Sequence, residues 1–342
     1  MSFSTLSNIT KRTIRAALLS AAALLVCIGP QAWAAPDPEK VVGPDECGEC
    51  HRGEVQSWKN SHHFKTYRSM PRSKEAKEIG EKMGIKRIRN DSDCLTCHFT
   101  SKEKGDKAKP IAGIACESCH GPAADWLKAH SDFGGKDVKR NQEAPQHKKQ
   151  RLAKVDAAGM IRPNDIYKLA ANCYQCHTVP NEKLVNVGGH SHGSDFELVS
   201  WSQGEVLHNY LRSPDGKQNV ESSDQRKRLM YVIGAAVDLE YSLRGVAKAT
   251  VKAPYAVKMA RRVKAAIGKL QKIYSTRPIP EVEAMITAGD DARLKLNNQQ
   301  ELTHAADKVA FLAKRLLQRY NGSELAALDV LIPSKYKGVA TH

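Results

Sequence analysis

Apolar residues return at helical intervals through the last third of the chain. Leu229, Ile233, Val237 and Leu243 form one stripe, interrupted by Glu240. Tyr255, Met259, Val263, Ile267, Leu270 and Tyr274 form a second, and Leu302, Ala306, Val309, Ala313 and Leu316 another. Pro278 and Pro280 end the second helix and open a short one around 281–288. The pattern predicts a helical hairpin or bundle over 225–342, a stretch without cysteine. A polar, turn-rich linker that starts at Ser213-Pro214-Asp215-Gly216 and runs to about Asp224 sets it off.

Upstream the periodicity is weaker. Glu54 to Trp58 continues in helix-compatible residues toward His62 and His63, and 72–85 reads as a basic amphipathic helix or loop. Residues 102–109 read as a charged, glycine-bearing surface loop, and 134–165 as a polar, basic excursion over the surface. No alternation worth assigning to a strand occurs in this half. At the start, Lys11, Arg12 and Arg15 precede the apolar run 16–28, which is too short to span a bilayer; Gly29-Pro30 ends it. With Ala32-Trp33-Ala34 as a small-x-small cleavage site, 1–34 reads as a secretion signal and the mature chain as periplasmic. Val26 spoils the lipoprotein reading of Leu24-Leu25-Val26-Cys27. No other stretch approaches ~20 uncharged apolar residues, so the mature protein reads as soluble, free or peripheral at a membrane.

Composition changes this picture. Only 41% of the 342 residues are hydrophobic and 6% aromatic, little for a side-chain core of this size. Of nine cysteines, Cys27 leaves with the signal. The other eight fall into Cys47-Gly48-Glu49-Cys50-His51, Cys94-Leu95-Thr96-Cys97-His98, Cys116-Glu117-Ser118-Cys119-His120 and Cys173-Tyr174-Gln175-Cys176-His177. Paired thiols at this spacing add across the two vinyl groups of a haem, and the adjacent histidine lies under the iron. Two four-cysteine zinc sites are the rival reading, but they leave four regularly placed histidines unexplained. The expected architecture is therefore mainly α: a multihaem cytochrome c over 35–224, wrapped around four covalent haems c with iron that replace the missing core, followed by the helical domain.

The formal charge is +16, and loss of the three basic signal residues leaves +13. Eight propionates and four ferric centres would bring the holoprotein to about +9, a balance that favours redox partners with acidic docking surfaces. No nucleic-acid motif is present.

Each iron needs a far ligand. His62, His63, His130, His147, His190, His192 and His208 are available, with Met70, Met83 and Met160 as alternatives that would raise the potential. On a continuous helix His51 and His63 would lie ~18 Å apart, whereas two axial nitrogens of one iron lie ~4 Å apart. His51 and His63 must then serve different haems.

The run from Cys47 through Trp58 to His63 resembles the opening of the cytochrome c554 family. The run from Gly113 through Cys116, His120 and Trp126 to His130 resembles that family's third site. The order and spacing of all four motifs agree, over roughly 40–210. The resemblance implies a mainly helical fold with haems in close pairs. It implies that His130 caps the iron of His51, His63 that of His120, and His208 that of His177. It also implies an open, five-coordinate iron at His98. The loop Gly188-Gly189-His190-Ser191-His192-Gly193 departs from this pattern: His190, or else His192, is expected to close that site. His62, His147 and His304 read as surface histidines. Trp58 and Trp126 read as haem-facing or ordinary core aromatics.

These features predict an electron carrier whose irons are all six-coordinate, with no catalytic side chain. The alternative is a haem enzyme or nitric-oxide-binding protein that acts on a small nitrogen or sulfur species at an open His98 iron. A third reading is an adaptor whose C-terminal helices bind a larger complex. Those helices could cap the haem domain, or form a homo-oligomer or partner surface.

Overall fold

The structure, a computed structural model, describes residues 35–90 and 92–340. The expected secretion signal, 1–34, lies outside them. The chain is mainly helical, and its motif-bearing part is built from short elements. α1 (Pro44–Gly48) starts on a proline and leads into Cys50. α2 (Arg52–Asn60) stops at Ser61, whose extended backbone breaks the helix and whose Oγ accepts from Phe64 N at 3.3 Å to cap α3 (His62–Ser69). The helix that the sequence predicts through to His63 is therefore two helices. α4 (Lys74–Met83) is capped by Ser73 and ends at Gly84, in the left-handed region at φ 71°. α5 (Leu95–His98) carries the second motif.

Two of the loops expected from the sequence are regular structure. β1 (Thr100–Lys104) and β2 (Lys107–Ala112) form an antiparallel hairpin around Gly105 and Asp106, where a charged loop was expected. Only Thr100 and Ala112, at its base, are buried; elsewhere Lys104 faces Lys107 and Lys102 faces Lys109. A strand pair with no buried face leaves no alternation to read. After α6 (Cys116–His120) and α7 (Leu127–His130), the expected excursion over 134–165 contains α8 (Pro145–Ala157). Its one buried residue, Val155, packs with Ala123 and Trp126, too small a contact to make a period.

α9 (Ile166–His177) is capped by Asp165 and ends in the fourth motif. α10 (Glu182–Asn186) and α11 (Leu198–Ser202) follow. The expected C-terminal stripes form α12 (Asp224–Ala247), α13 (Pro254–Thr276), α14 (Pro280–Asp291) and α15 (Gln299–Arg319). α12 is buried on nearly every side because α9, α13 and α15 all pack on it. One apolar core holds Tyr174 of α9, Phe196, Ile233, Leu270 and Leu316 together. The expected division at 224/225 marks the start of α12 but does not separate two cores. Among the described residues, no helix is long and apolar enough to cross a membrane.

Candidate cofactor site

Each motif folds as a helical turn. His51 N donates to Cys47 O at 2.9 Å and His98 N to Cys94 O at 3.1 Å, while α6 and the end of α9 hold the other two motifs. Helical spacing puts the two thiols and the histidine on one side of the turn. All eight thiols are free of disulfides.

Every motif histidine faces a histidine from elsewhere in the chain. The ring centroids are 6.2 Å apart for His51 and His130, 6.3 Å for His63 and His177, 6.3 Å for His98 and His190, and 6.1 Å for His120 and His208. An iron between two imidazole nitrogens at ~2 Å each requires centroids about 6 Å apart. Among the described residues no cluster of three or more His, Cys, Asp or Glu side chains converges as zinc would require.

Two pairings differ from those the resemblance implies. His63 faces His177 rather than His120, and His208 faces His120 rather than His177. The chain breaks at Ser61, before His63. The break frees α3 from the line of α2, and Ile114 N donates to His63 O at 3.1 Å while Thr66 Oγ1 reaches His98 O at 3.3 Å. These bonds hold His63 beside the second motif, against the end of α9. The His208 segment is tied instead to α2, where Ser57 and Tyr210 share a hydrogen bond of 3.1 Å between their hydroxyls. His190 covers the face of His98 that the resemblance leaves open, while His192 is exposed.

The second ring nitrogens are occupied in a way that suits axial ligands. Nδ1 of His120 meets Ile161 O at 2.9 Å, that of His177 meets Ser194 Oγ at 3.0 Å, that of His190 meets Ser191 O at 2.8 Å and that of His208 meets Val206 O at 2.7 Å. Nδ1 of His130 meets Leu127 O. A histidine that uses Nδ1 this way presents Nε2 to a metal in a fixed orientation. Burial also pushes His98, His120 and His177 down to about 4, and lowers His63 and His130. The rings are thus neutral, the form that binds iron.

The motifs also touch one another. The Cys47 thiol is raised first by its contact with the Cys116 thiol and then by burial, and the Cys176 thiol is raised in the same way by Cys97. Cys119 lies close enough to Cys173 and Cys176 to raise both. Asn172 Nδ2 bridges the last two motifs by donating to Ser118 O at 2.6 Å and Cys119 O at 3.0 Å. The spatial order is therefore first, third, fourth, second.

Several residues that build the site carry no signal in the sequence. Glu117, inside the third motif and buried, accepts from Val42 N at 2.9 Å, Gly43 N at 2.8 Å and Ala123 N at 2.8 Å. It ties the approach to the first motif onto the third. Phe196 stacks on His177 with centroids 4.6 Å apart, and Trp201 meets the same ring edge-on at 5.0 Å. Arg262 of α13 pairs with Asp238 of α12 at 2.5 Å and donates to Ser194 O at 2.9 Å, next to the hydroxyl that holds His177. The C-terminal helices thus buttress the fourth motif. The remaining histidines stand apart: His62 is exposed beside Glu205, His147 bonds Glu143, and His304 is exposed. Trp58 donates to Ile114 O at 2.7 Å, and Trp126 meets His130 edge-on.

Residues 46–121, which contain the first three motifs, match the family described as cytochrome c554 and c-prime. Cytochrome c-554 of Nitrosomonas europaea is 34% identical over 37% of this chain and 57% of its own length. The chain thus matches little more than half the length of that curated relative. No solved structure matches the chain significantly.

Proposed function

We propose that this chain, whose motif-bearing part belongs to the cytochrome c554 family, is an extracytoplasmic electron-transfer protein holding four haems c, each iron between two histidines. The observation that carries the proposal is the set of four histidine pairs at 6.1–6.3 Å, each joining one CxxCH histidine to a distant one. The eight motif cysteines would hold the haems as thioethers. His51 and His130, His120 and His208, His177 and His63, and His98 and His190 would be the axial ligands. When bound, haem c supplies a reversible one-electron Fe(III)/Fe(II) couple.

The chain's own contribution is positional. Hydrogen bonds at Nδ1 fix the tautomers of His120, His130, His177, His190 and His208, and burial favours the neutral form of His63, His98, His120, His130 and His177. The low share of apolar side chains fits an interior in which the cofactors supply much of the packing. Contacts that run from motif to motif in one unbroken series support closely spaced attachment sites. With His190 opposite His98, each site has nitrogen on both faces and no position for a substrate, which favours a carrier over an enzyme acting at that site. The expected signal at 1–34 supports export to the periplasm.

The test is spectroscopy of the ferric holoprotein together with its mass. Four added haems, all low-spin, with no shift of the reduced Soret band under carbon monoxide, are the expected result. Fewer than four haems, or a high-spin iron that binds carbon monoxide, would overturn it.

A further inference from the structure

We propose that the surface around the His190 loop is the docking site for an acidic redox protein, so that electrons pass to or from that partner at the second motif. This rests on the four motifs being haem sites.

The loop is clamped from both sides. A Cβ on Gly188 would lie 3.1 Å from Met83 Cγ and 3.3 Å from Ile79 Cγ2 of α4, and one on Gly189 would lie 3.3 Å from Lys82 Nζ. On the other side His190 N donates to Leu184 O at 3.2 Å. α10 in turn seats the start of α13. Tyr255 N donates to Asn186 Oδ1 at 3.0 Å, and Glu182 accepts from Thr250 N at 3.0 Å and Thr250 Oγ1 at 2.7 Å. Val187 directly precedes the loop, and Val251 N donates to Glu182 of α10 at 3.3 Å; the two valines are 52% and 51% exposed. Lys82 lies against Gly189, and Lys183, Lys248 and Lys252 flank Glu182 and Thr250 along the chain; all four are exposed.

The charge is one-sided. From Lys248 to Pro280 the chain has nine basic residues and no acidic one, and of these Arg262 and Lys269 are paired with Asp238 and Glu197. Glu182, the carboxylate within the patch, is occupied by backbone and hydroxyl donors; Glu78 and Glu81 are the acidic neighbours of Lys82 on α4. A small apolar centre with a lysine rim is what a transient redox interface needs: charge steers the encounter, and a small buried area lets it part. A membrane is the weaker occupant, because interfacial anchoring uses Trp, Phe or Leu and this patch offers only valines. In the transfer the reduced partner loses one electron, and a ferric iron of this protein becomes ferrous.

The experiment uses the ferric holoprotein and a reduced, acidic plant-type [2Fe–2S] ferredoxin as probe, mixed by stopped flow at several salt concentrations. The triple variant Lys82→Glu, Lys183→Glu, Lys252→Glu should lower the low-salt bimolecular rate about tenfold and flatten its salt dependence, within the range that steering supplies. A control of equal net charge, Lys148→Glu, Lys149→Glu, Lys154→Glu on α8, should change it less than about twofold. Equal losses in both variants, or none in either, would overturn the docking site. So would a wild-type protein that sediments with phosphatidylglycerol vesicles through these lysines while its ferredoxin rate ignores them. Should the triple variant misfold, Lys82→Gln and Lys252→Gln, measured singly, carry the same test. A wild type lacking four low-spin haems would instead sink the parent reading; intact spectra with indifferent rates would sink the docking site alone.

Discussion

The imidazole of His63 faces that of His177, with ring centroids 6.3 Å apart, although the two lie on α3 and at the end of α9. The pair joins the segment after the first motif to the fourth. In the holoprotein His63→Ala should create one high-spin haem, at the fourth motif. Made in a Cys173→Ser, Cys176→Ser background, the same change should add no high-spin signal. In a Cys116→Ser, Cys119→Ser background it should still do so. The opposite result would restore the pairing of His63 with His120.

The His190 ring lies opposite His98 on a glycine-flanked loop, with Gly189 and Gly193 at φ 75° and 95°. His190→Ala should yield one high-spin, carbon-monoxide-reactive haem with little loss of stability. His192→Ala should leave the spectrum as in the wild type. A matching change in both, or in His192→Ala alone, would reassign the ligand.

Glu117→Ala would orphan three backbone N–H groups, two of them in a buried setting. Unsatisfied buried donors cost about 1–3 kcal/mol each, so the holoprotein should lose roughly 3 kcal/mol. Thermal unfolding of the two proteins side by side checks this. An unchanged midpoint would mean that water replaces the carboxylate.

A Cβ at Gly113 would sit 2.1 Å from His63 O and 2.6 Å from Thr66 Oγ1. Gly113→Ala must therefore push α3 away and break the bond that positions His63. The expected loss is about 1–3 kcal/mol, the range for overpacking, with a weakened low-spin signal at the fourth motif. Denaturant midpoints and low-temperature paramagnetic resonance would show both effects.

Arg151 holds Glu143, pulling its carboxyl down to about 2, and also donates to His130 O at 2.8 Å. A carboxyl lowered on folding contributes stability above its usual value near 4.5, and loses it as pH falls toward about 2. The gap in melting temperature between wild type and Glu143→Gln should be widest near neutral pH and shrink between pH 4.5 and 2. A gap that is constant with pH would show that the ion pair adds nothing to stability.

What could be read in advance follows from the range of the interactions. Cys94, Cys97 and His98 share one helical turn, so their chemistry is written in adjacent letters. The stripes of α12, α13 and α15 are legible because each helix buries a broad apolar face. α8 and the β1–β2 hairpin were not legible, because Val155, Thr100 and Ala112 are nearly all that they bury. The roles of Glu117 and Arg262 were invisible for a different reason: their partners lie far along the chain, or are backbone groups that any residue carries.

By itself the amino-acid order determined that CxxCH motifs stand at four places, that histidines outnumber them, and that the tail is helical. Tertiary structure decided which histidine meets which. With more candidates than sites, the choice depends on where a break such as Ser61 turns the chain and on which distant backbone groups then hold it. It also decided that the tail is no separate body, since the core of α12 closes over α9 and reaches His177 through Arg262 and Ser194.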